Sequence, residues 1–239
     1  MKLLSILLLI LTLFLYNQVQ GIDLKCEDVP PAMWCKDDEL ALLCNVKEQC
    51  QEYNNKNKGK KMLLTLLYKT LCPSCSRFIN NELQYIYDHF KNIADIELVP
   101  YGNALIKPDG IIDCQHGEPE CKGNKYEACV INVVQDHYPL IACIENQFAG
   151  TTEDIDVAAK TCHDTLSTPD DVVKQIEECY NGQLGDDLIK ANAARTSNIG
   201  PVEHGGVPWV LINNASVSFY QEHRYLLPIL IQKWYIGEE

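Results

Sequence analysis

Met62-Leu63-Leu64-Thr65-Leu66-Leu67-Tyr68-Lys69-Thr70-Leu71-Cys72-Pro73-Ser74-Cys75 is the stretch that decides how this chain folds. Its first half is a short apolar run bounded by Lys61 and Lys69, which suits a strand buried on both faces of a sheet. Its second half is a Cys-x-x-Cys, and residues 77–90 beyond it carry Ile79, Leu83, Ile86 and Phe90 at helical spacing. Thiol–disulfide exchange is commonly built at such a strand-to-helix junction. Unpaired backbone N–H groups and the positive end of the helix dipole stabilise a thiolate at Cys72, and Cys75, one turn on, is placed to resolve a mixed disulfide.

Working outward, residues 93–101 read as a second strand closed by Pro100, and strand, helix and strand of these lengths fit a right-handed βαβ crossover. Residues 114–196 are mostly helical in pattern. The best segments are 130–148, 169–180 with Thr168 as cap, and 186–194. A glycine-rich loop then leads through Val207-Pro208 into a strand ending at Asn213. Residues 213–216 fit a hairpin turn, 217–219 its return strand and 225–235 a final helix with Pro228 in its first turn. The order is β-α-β, a helical insertion at about 102–200, then β-β-α.

Residues 3–16 are almost wholly apolar, follow Lys2 and precede Val19-Gln20-Gly21, as in a cleaved secretory leader spanning 1–21. The run is shorter than the roughly 20 residues a bilayer span needs, so no transmembrane segment is expected; an uncleaved signal anchor is the alternative. The net charge of −13 at pH 7 argues against nucleic acid or anionic membrane surfaces as partners. All twelve cysteines follow the leader, which indicates an oxidising, exported setting. With Cys72 and Cys75 set aside, Cys26, Cys35, Cys44, Cys50, Cys114, Cys121, Cys129, Cys143, Cys162 and Cys179 remain for structural disulfides, whose connectivity spacing does not reveal. Asn214-Ala215-Ser216 is a glycosylation sequon at Asn214. Residues 22–53 form a cysteine-rich segment, and the polar, basic stretch 54–61 reads either as an exposed linker or as a surface loop within one domain.

The element order resembles the thioredoxin fold, in which a Cys-x-x-Cys opens the first helix and a cis-proline begins a later strand opposite it. On that resemblance the fold class is α/β, thioredoxin-like with a helical, disulfide-stapled insertion, over residues 62–237. Pro208 would be the cis-proline, leaving the backbone at Val207 to pair with an extended substrate. Cys114-Gln115-His116-Gly117-Glu118-Pro119-Glu120-Cys121-Lys122-Gly123-Asn124-Lys125-Tyr126-Glu127-Ala128-Cys129 is more specific. It resembles the signature Cys-Gln-His-Gly-x2-Glu-Cys-x2-Asn-x4-Cys of the gamma-interferon-inducible lysosomal thiol reductase family, with every fixed position present.

The resemblance covers roughly residues 62–235 and adds Ala191-Asn192-Ala193, Arg195-Thr196 and Val207-Pro208-Trp209-Val210. It implies a thiol reductase acting on disulfide-bonded, unfolded protein substrates in an acidic endolysosomal or extracellular lumen. Cys72 would attack as thiolate and Cys75 would resolve. A small thiol would serve as reductant, with no metal or prosthetic group. Pro73 after the first cysteine also resembles glutaredoxins and the periplasmic oxidase, which leaves open a secretory-pathway oxidase or isomerase. A catalytically idle, disulfide-rich secreted binding protein is a further alternative.

The signature stretch itself reads as a disulfide-held loop without chemistry of its own, a zinc site at Cys114, His116 and Cys121 being the competing reading. His204 reads either as a neighbour tuning the Cys pair or as a solvated loop residue; His89 and His163 read as surface residues. Cys26 to Cys50, with Pro30-Pro31 and Trp34, resembles a saposin A-type module, to be set against a trimmed propeptide or a small disulfide knot. The chain ends at Glu239, so the C-terminal propeptide seen in some relatives is expected to be missing or very short.

Overall fold

The computed structural model describes residues 34–35, 38–150 and 152–237; the expected leader, its cleavage point and Cys26 lie outside them. The chain divides into two units, Met1–Lys56 and Asn57–Glu239. In the first, α1 (Asp38–Leu43) and α2 (Lys47–Asn57) are joined through Asn45, and a Cys35–Cys50 disulfide closes the pair. The expected linker at 54–61 is therefore part helix. Residues 54–57 complete α2, whose polar side chains are compatible with a helix and whose Lys56 complements the C-terminal end of the dipole.

The second unit is built around β1 (Met62–Tyr68), which is buried along nearly its whole length. Residues 73–90 form one helical rod in three parts: α3 (Pro73–Phe78), a π-helical turn (Ile79–Leu83) and α4 (Gln84–Phe90). Ile79, Leu83 and Ile86 are buried, as the periodicity requires, and the wide turn between them is invisible to that periodicity. β2 (Ala94–Pro100) then pairs parallel to β1, with Leu66 opposite Leu98.

A hairpin of β3 (Leu105–Ile106) and β4 (Ile112–Asp113) opens the insertion, followed by α5 (Glu118–Val133), α6 (Tyr138–Phe148), α7 (Ile155–Leu166), α8 (Asp170–Asn181) and α9 (Gln183–Ser197). Cys129–Cys179 ties α5 to α8, Cys143–Cys162 ties α6 to α7, and Cys114–Cys121 closes the turn that enters α5.

The chain returns to the sheet through β5 (Gly200–Pro201), β6 (Trp209–Ile212) and β7 (Ala215–Ser216), and finishes with α10 (Ser218–Glu222), a 3₁₀ turn (Arg224–Leu226) and α11 (Leu227–Trp234), whose first turn holds Pro228. The sheet order is β2-β1-β6-β7-β5, with β6 antiparallel to β1. This is a thioredoxin-like α/β fold with a helical, disulfide-stapled insertion.

Several local expectations are corrected. The signature stretch is not a loop: α5 begins at Glu118, with Pro119 in its first turn where a missing N–H costs little. Residues 130–148 are two helices, because Pro139 cannot lie inside a helix and instead starts α6 after an extended Val134. Pro169, not Thr168, holds the cap position of α8, and Asp170 and Asp171 in the first turn complement its dipole. The return strand is Ala215–Ser216 rather than 217–219, since Asn213 and Asn214 both take positive φ and complete the turn in two residues.

α9 is clamped to the sheet by two residues of the stretch 191–196. Arg195 grips Glu97 of β2 through Nε at 3.1 Å and an Nη at 2.8 Å, and that Nη also donates to Thr65 and to Asn214 in the β6–β7 turn. Asn192 Nδ2 donates to the carbonyl of Pro100 at 3.2 Å. α5 lies close against the segment that follows β1, because a Cβ at Gly123 would lie 2.6 Å from Thr70 Oγ1. Gly123→Ala is therefore expected to destabilise the chain by about 1–3 kcal/mol and to slow alkylation of Cys72 by shifting Thr70. Urea unfolding checks this, and an unchanged midpoint would show that Thr70 turns away without cost.

Candidate active site

β1 ends at Tyr68, and the next three residues aim the chain at the helix. Leu71 sits at φ +59, a left-handed conformation that a leucine adopts only where its surroundings hold it. The holding groups come from α5. Asn124 Oδ1 accepts from the Thr70 N–H at 2.9 Å, and Thr70 Oγ1 donates to the Glu120 carbonyl at 3.0 Å. Lys69 is almost wholly buried, with its ammonium on Gln115 Oε1 and 3.2 Å from Glu120 Oε2. The Glu120 carboxylate, fully buried, also accepts from the Gln115 and His116 backbone N–H groups and meets His116 Nδ1 at 2.7 Å. Gln115, His116, Glu120 and Asn124 of the signature therefore brace the segment that delivers Cys72.

Cys72 is the N-cap of α3, in extended backbone, with Pro73 following in the first turn. Its Sγ accepts the Cys75 N–H at 3.3 Å, lies 3.3 Å from Ser74 Oγ, and lies 4.0 Å from the carbonyl oxygen of Val207. The Val207–Pro208 peptide is cis, and the Val207 carbonyl contact brings this loop, far away in sequence, against the Cys pair. Arg224 holds the Pro208 carbonyl at 3.1 Å, and the side-chain amide of Gln221 brackets Val210 with two hydrogen bonds, much as a neighbouring strand would. Both cysteines are unpaired thiols; Cys72 is 7% exposed and Cys75 is sealed.

The two thiols are driven apart in acidity. The hydrogen bond from Cys75 lowers the Cys72 pKa most; burial opposes that shift, and Ser74, the Cys75 backbone N–H and the charge of Lys69 add to it, bringing the pKa to about 6. Burial pushes Cys75 far up, and its contact with Cys72 pushes it further. Alkylation of the reduced chain is expected to label Cys72 alone, with a midpoint near pH 6 and the rate falling below it as the thiolate takes up its proton. Mass mapping of the label against pH checks this; a midpoint near pH 9, or equal labelling of both cysteines, would contradict the geometry.

The remaining expected site residues fall elsewhere. Cys114 and Cys121 are joined in a disulfide and His116 is engaged by Glu120, which removes the zinc reading for that trio. His163 is buried rather than superficial, with Nε2 2.7 Å from the Tyr126 hydroxyl, because it lies on the inner face of α7 with Ile155, Ala159 and Cys162. His89 is exposed, and His204 is not among the groups that act most on Cys72. Sequence reasoning passed over the polar face of α5. Glu120, Asn124 and Glu127 at helical spacing, with Gly123 beside them, were the available signal.

A thioredoxin-like sheet that sets a Cys-x-x-Cys at a helix start opposite a cis-proline defines a thiol–disulfide oxidoreductase. Residues 63–166 match the family model described as gamma interferon inducible lysosomal thiol reductase (GILT). The goldfish (Carassius auratus) gamma-interferon-inducible lysosomal thiol reductase is 34% identical over 197 residues, covering 81% of this chain and 74% of its own. The chain belongs to this family.

An Arabidopsis thaliana gamma-interferon-responsive lysosomal thiol protein is 36% identical over 65% of this chain and 63% of its own. The mouse (Mus musculus) gamma-interferon-inducible lysosomal thiol reductase is 32% identical over 71% and 66%. Among solved structures, the oxidoreductase DsbA from Xylella fastidiosa superposes with a TM-score of 0.47 at 12% identity, covering 75% of this chain and 91% of its own.

Proposed function

We propose that this chain reduces disulfide bonds of protein substrates in an acidic endolysosomal or extracellular lumen, with Cys72 as nucleophile and Cys75 as resolving thiol. The observation that carries this reading is the pairing of an acidified thiol, narrowly exposed at the helix start, with a sealed, high-pKa thiol one turn behind it. The Cys72 thiolate attacks a substrate disulfide, expelling one substrate sulfur as thiolate and forming a mixed disulfide; the Cys75 thiol passes its proton to that sulfur or to solvent and displaces the other; and two small-thiol molecules, leaving as their own disulfide, reduce the Cys72–Cys75 bond again. The backbone at Val207 and the cis Pro208 support docking of an extended substrate strand across the sulfur.

An acid setting is compatible with the site. A thiol with a pKa of about 6 is still roughly a tenth ionised at pH 5, whereas one at 9 is ionised to about one part in ten thousand. Among the described residues no helix is long and apolar enough to cross a membrane. The four described disulfides fit passage through the secretory pathway, as a leader at residues 1–21 would direct. Residues 22–53 then serve as a propeptide or a saposin A-type accessory module, and Asn214, exposed in its turn, as a glycan acceptor.

The test is the rate at which the purified chain reduces a denatured, disulfide-bonded protein with a small thiol present, from pH 4 to 8. Catalysis above the small-thiol rate that persists near pH 5 is expected. A rate equal to that of the small thiol alone at every pH would remove the reductase reading.

A further inference from the structure

Directly behind Cys75 lies a second titratable cluster that the exchange chemistry above does not use. Glu127 of α5 and Glu145 of α6 are fully buried, as is Tyr68 at the end of β1. The Tyr68 hydroxyl donates to Glu127 Oε2 at 2.7 Å, and among the described residues the other oxygen of Glu127 is met by no amide, hydroxyl or ammonium group. Among the described residues neither oxygen of Glu145 is met by an amide, hydroxyl or ammonium group; what faces it is the carboxyl of Glu127. Ser76 Oγ donates to the Glu145 backbone carbonyl at 2.6 Å, which locks α6 against the residue after Cys75.

Two carboxylates facing each other in a dry interior cannot both carry charge, so the pair holds at least one proton between them. The charges that act on Glu145 are Glu127 and the Cys72 thiolate, and Glu145 in turn acts on Cys75 and Tyr68. From α7, which packs across α6, Cys162 is bound in a disulfide and His163 turns to Tyr126. Lys69, which follows Tyr68, is engaged by Glu120 and Gln115.

We propose that Glu127 and Glu145 are a buried proton store for the redox pair, binding one further proton when the Cys72–Cys75 disulfide is reduced and releasing it when the disulfide re-forms. The proposal rests on the reading of Cys72 and Cys75 as the redox pair. Reduction by two small-thiol molecules breaks one S–S bond and passes in two electrons and two protons, the two leaving joined as one disulfide. One proton goes to Cys75 and Cys72 is left as thiolate. That new negative charge lies beside Glu145, and the pair answers by moving from one shared proton to two. When a substrate disulfide is reduced, the Cys72 charge disappears into the new S–S bond, and the Cys75 proton and the extra proton of the pair pass to the two departing substrate sulfurs or to solvent. Glu145 couples this device to the cysteines, because the Cys72 charge acts on it and it acts on Cys75, and Glu127, anchored by Tyr68, is its partner.

The experiment uses the full chain. Redox-difference infrared spectra report carboxyl protonation, and the potential of the pair is titrated against small-thiol buffers from about pH 6.5 to 8, with oxidation state read by alkylation and mass. In the wild type, reduction is expected to take up two protons per disulfide and to raise a carboxylic-acid carbonyl band. In Glu145→Gln the uptake is expected to fall to one proton and the band to vanish, and Glu127→Gln is expected to do the same. A wild-type spectrum with no carboxyl change, a measurement that needs no variant to fold, would overturn the proposal, as would one-proton uptake in the wild type. Failure of the underlying reading looks different: alkylation would show Cys72 and Cys75 that do not cycle with the thiol buffer at all, which would sink both.

Discussion

Cys75→Ser is expected to turn the enzyme into a trap. Cys72 loses the Cys75 thiol, whose hydrogen bond lowers its pKa most and for which only the serine hydroxyl can substitute, but the backbone N–H at position 75, Ser74 and the charge of Lys69 still acidify it. Attack on a substrate disulfide proceeds, but the sealed thiol that should displace the product is absent. Turnover then falls to whatever rate the small thiol can reach a buried mixed disulfide. Covalent adducts between the chain and its substrate should accumulate, visible on a non-reducing gel and dissolved by excess reductant.

Cys72→Ser removes the attacking sulfur itself, and the rate above the small-thiol background is expected to fall by on the order of a thousandfold or more, with no adduct formed. Wild-type turnover by Cys75→Ser without adducts would mean that resolution does not need Cys75. Retained activity in Cys72→Ser would relocate the nucleophile.

The second large effect is expected at Lys69. Its ammonium and the Glu120 carboxylate form an ion pair with side chains 4% and 0% exposed, so Lys69→Met leaves a buried carboxylate with the His116 ring and two backbone N–H groups as its remaining partners. Removing one member of a buried pair typically costs about 3–5 kcal/mol, and urea unfolding should show a loss of that order. The same change removes a positive charge that acidifies Cys72, so the alkylation midpoint should move above pH 6. Lys69→Met combined with Glu120→Gln should recover part of the stability, because no lone charge is then left inside, but not the acidity of the thiol. Stability and midpoint both unchanged in Lys69→Met would show that the bracing network does not reach the active sulfur.

The signature motif thereby gains a physical account. Its cysteines staple: Cys114 to Cys121 within the motif, and Cys129 to Cys179 across to α8. Its polar residues do something else, since Gln115, Glu120 and Asn124 meet residues 69 and 70, two to three positions before Cys72, and His116 holds the Glu120 carboxylate. Glu127, which falls between the fixed positions, extends the same helix face to Tyr68. A motif that looked structural in sequence is structural in the specific sense that it sets the conformation and charge environment of Cys72.

By itself the sequence determined the framework of the site: an apolar run, a Cys-x-x-Cys, an amphipathic helix and a distant proline before a strand. Those are local statements, governed by side-chain periodicity and by the backbone chemistry of proline, and they needed no knowledge of what packs where. The tertiary structure decided which faces meet. Cysteine spacing could not say that Cys143 would pair with Cys162 rather than with a nearer candidate. Helical periodicity could not say that the Glu120 face of α5 would lie against Lys69, or that His163 would point inward. A helix face encodes that something must cover it but not what: Lys69 meets Glu120, and Tyr68 meets Glu127, only once α5 has packed against the end of β1.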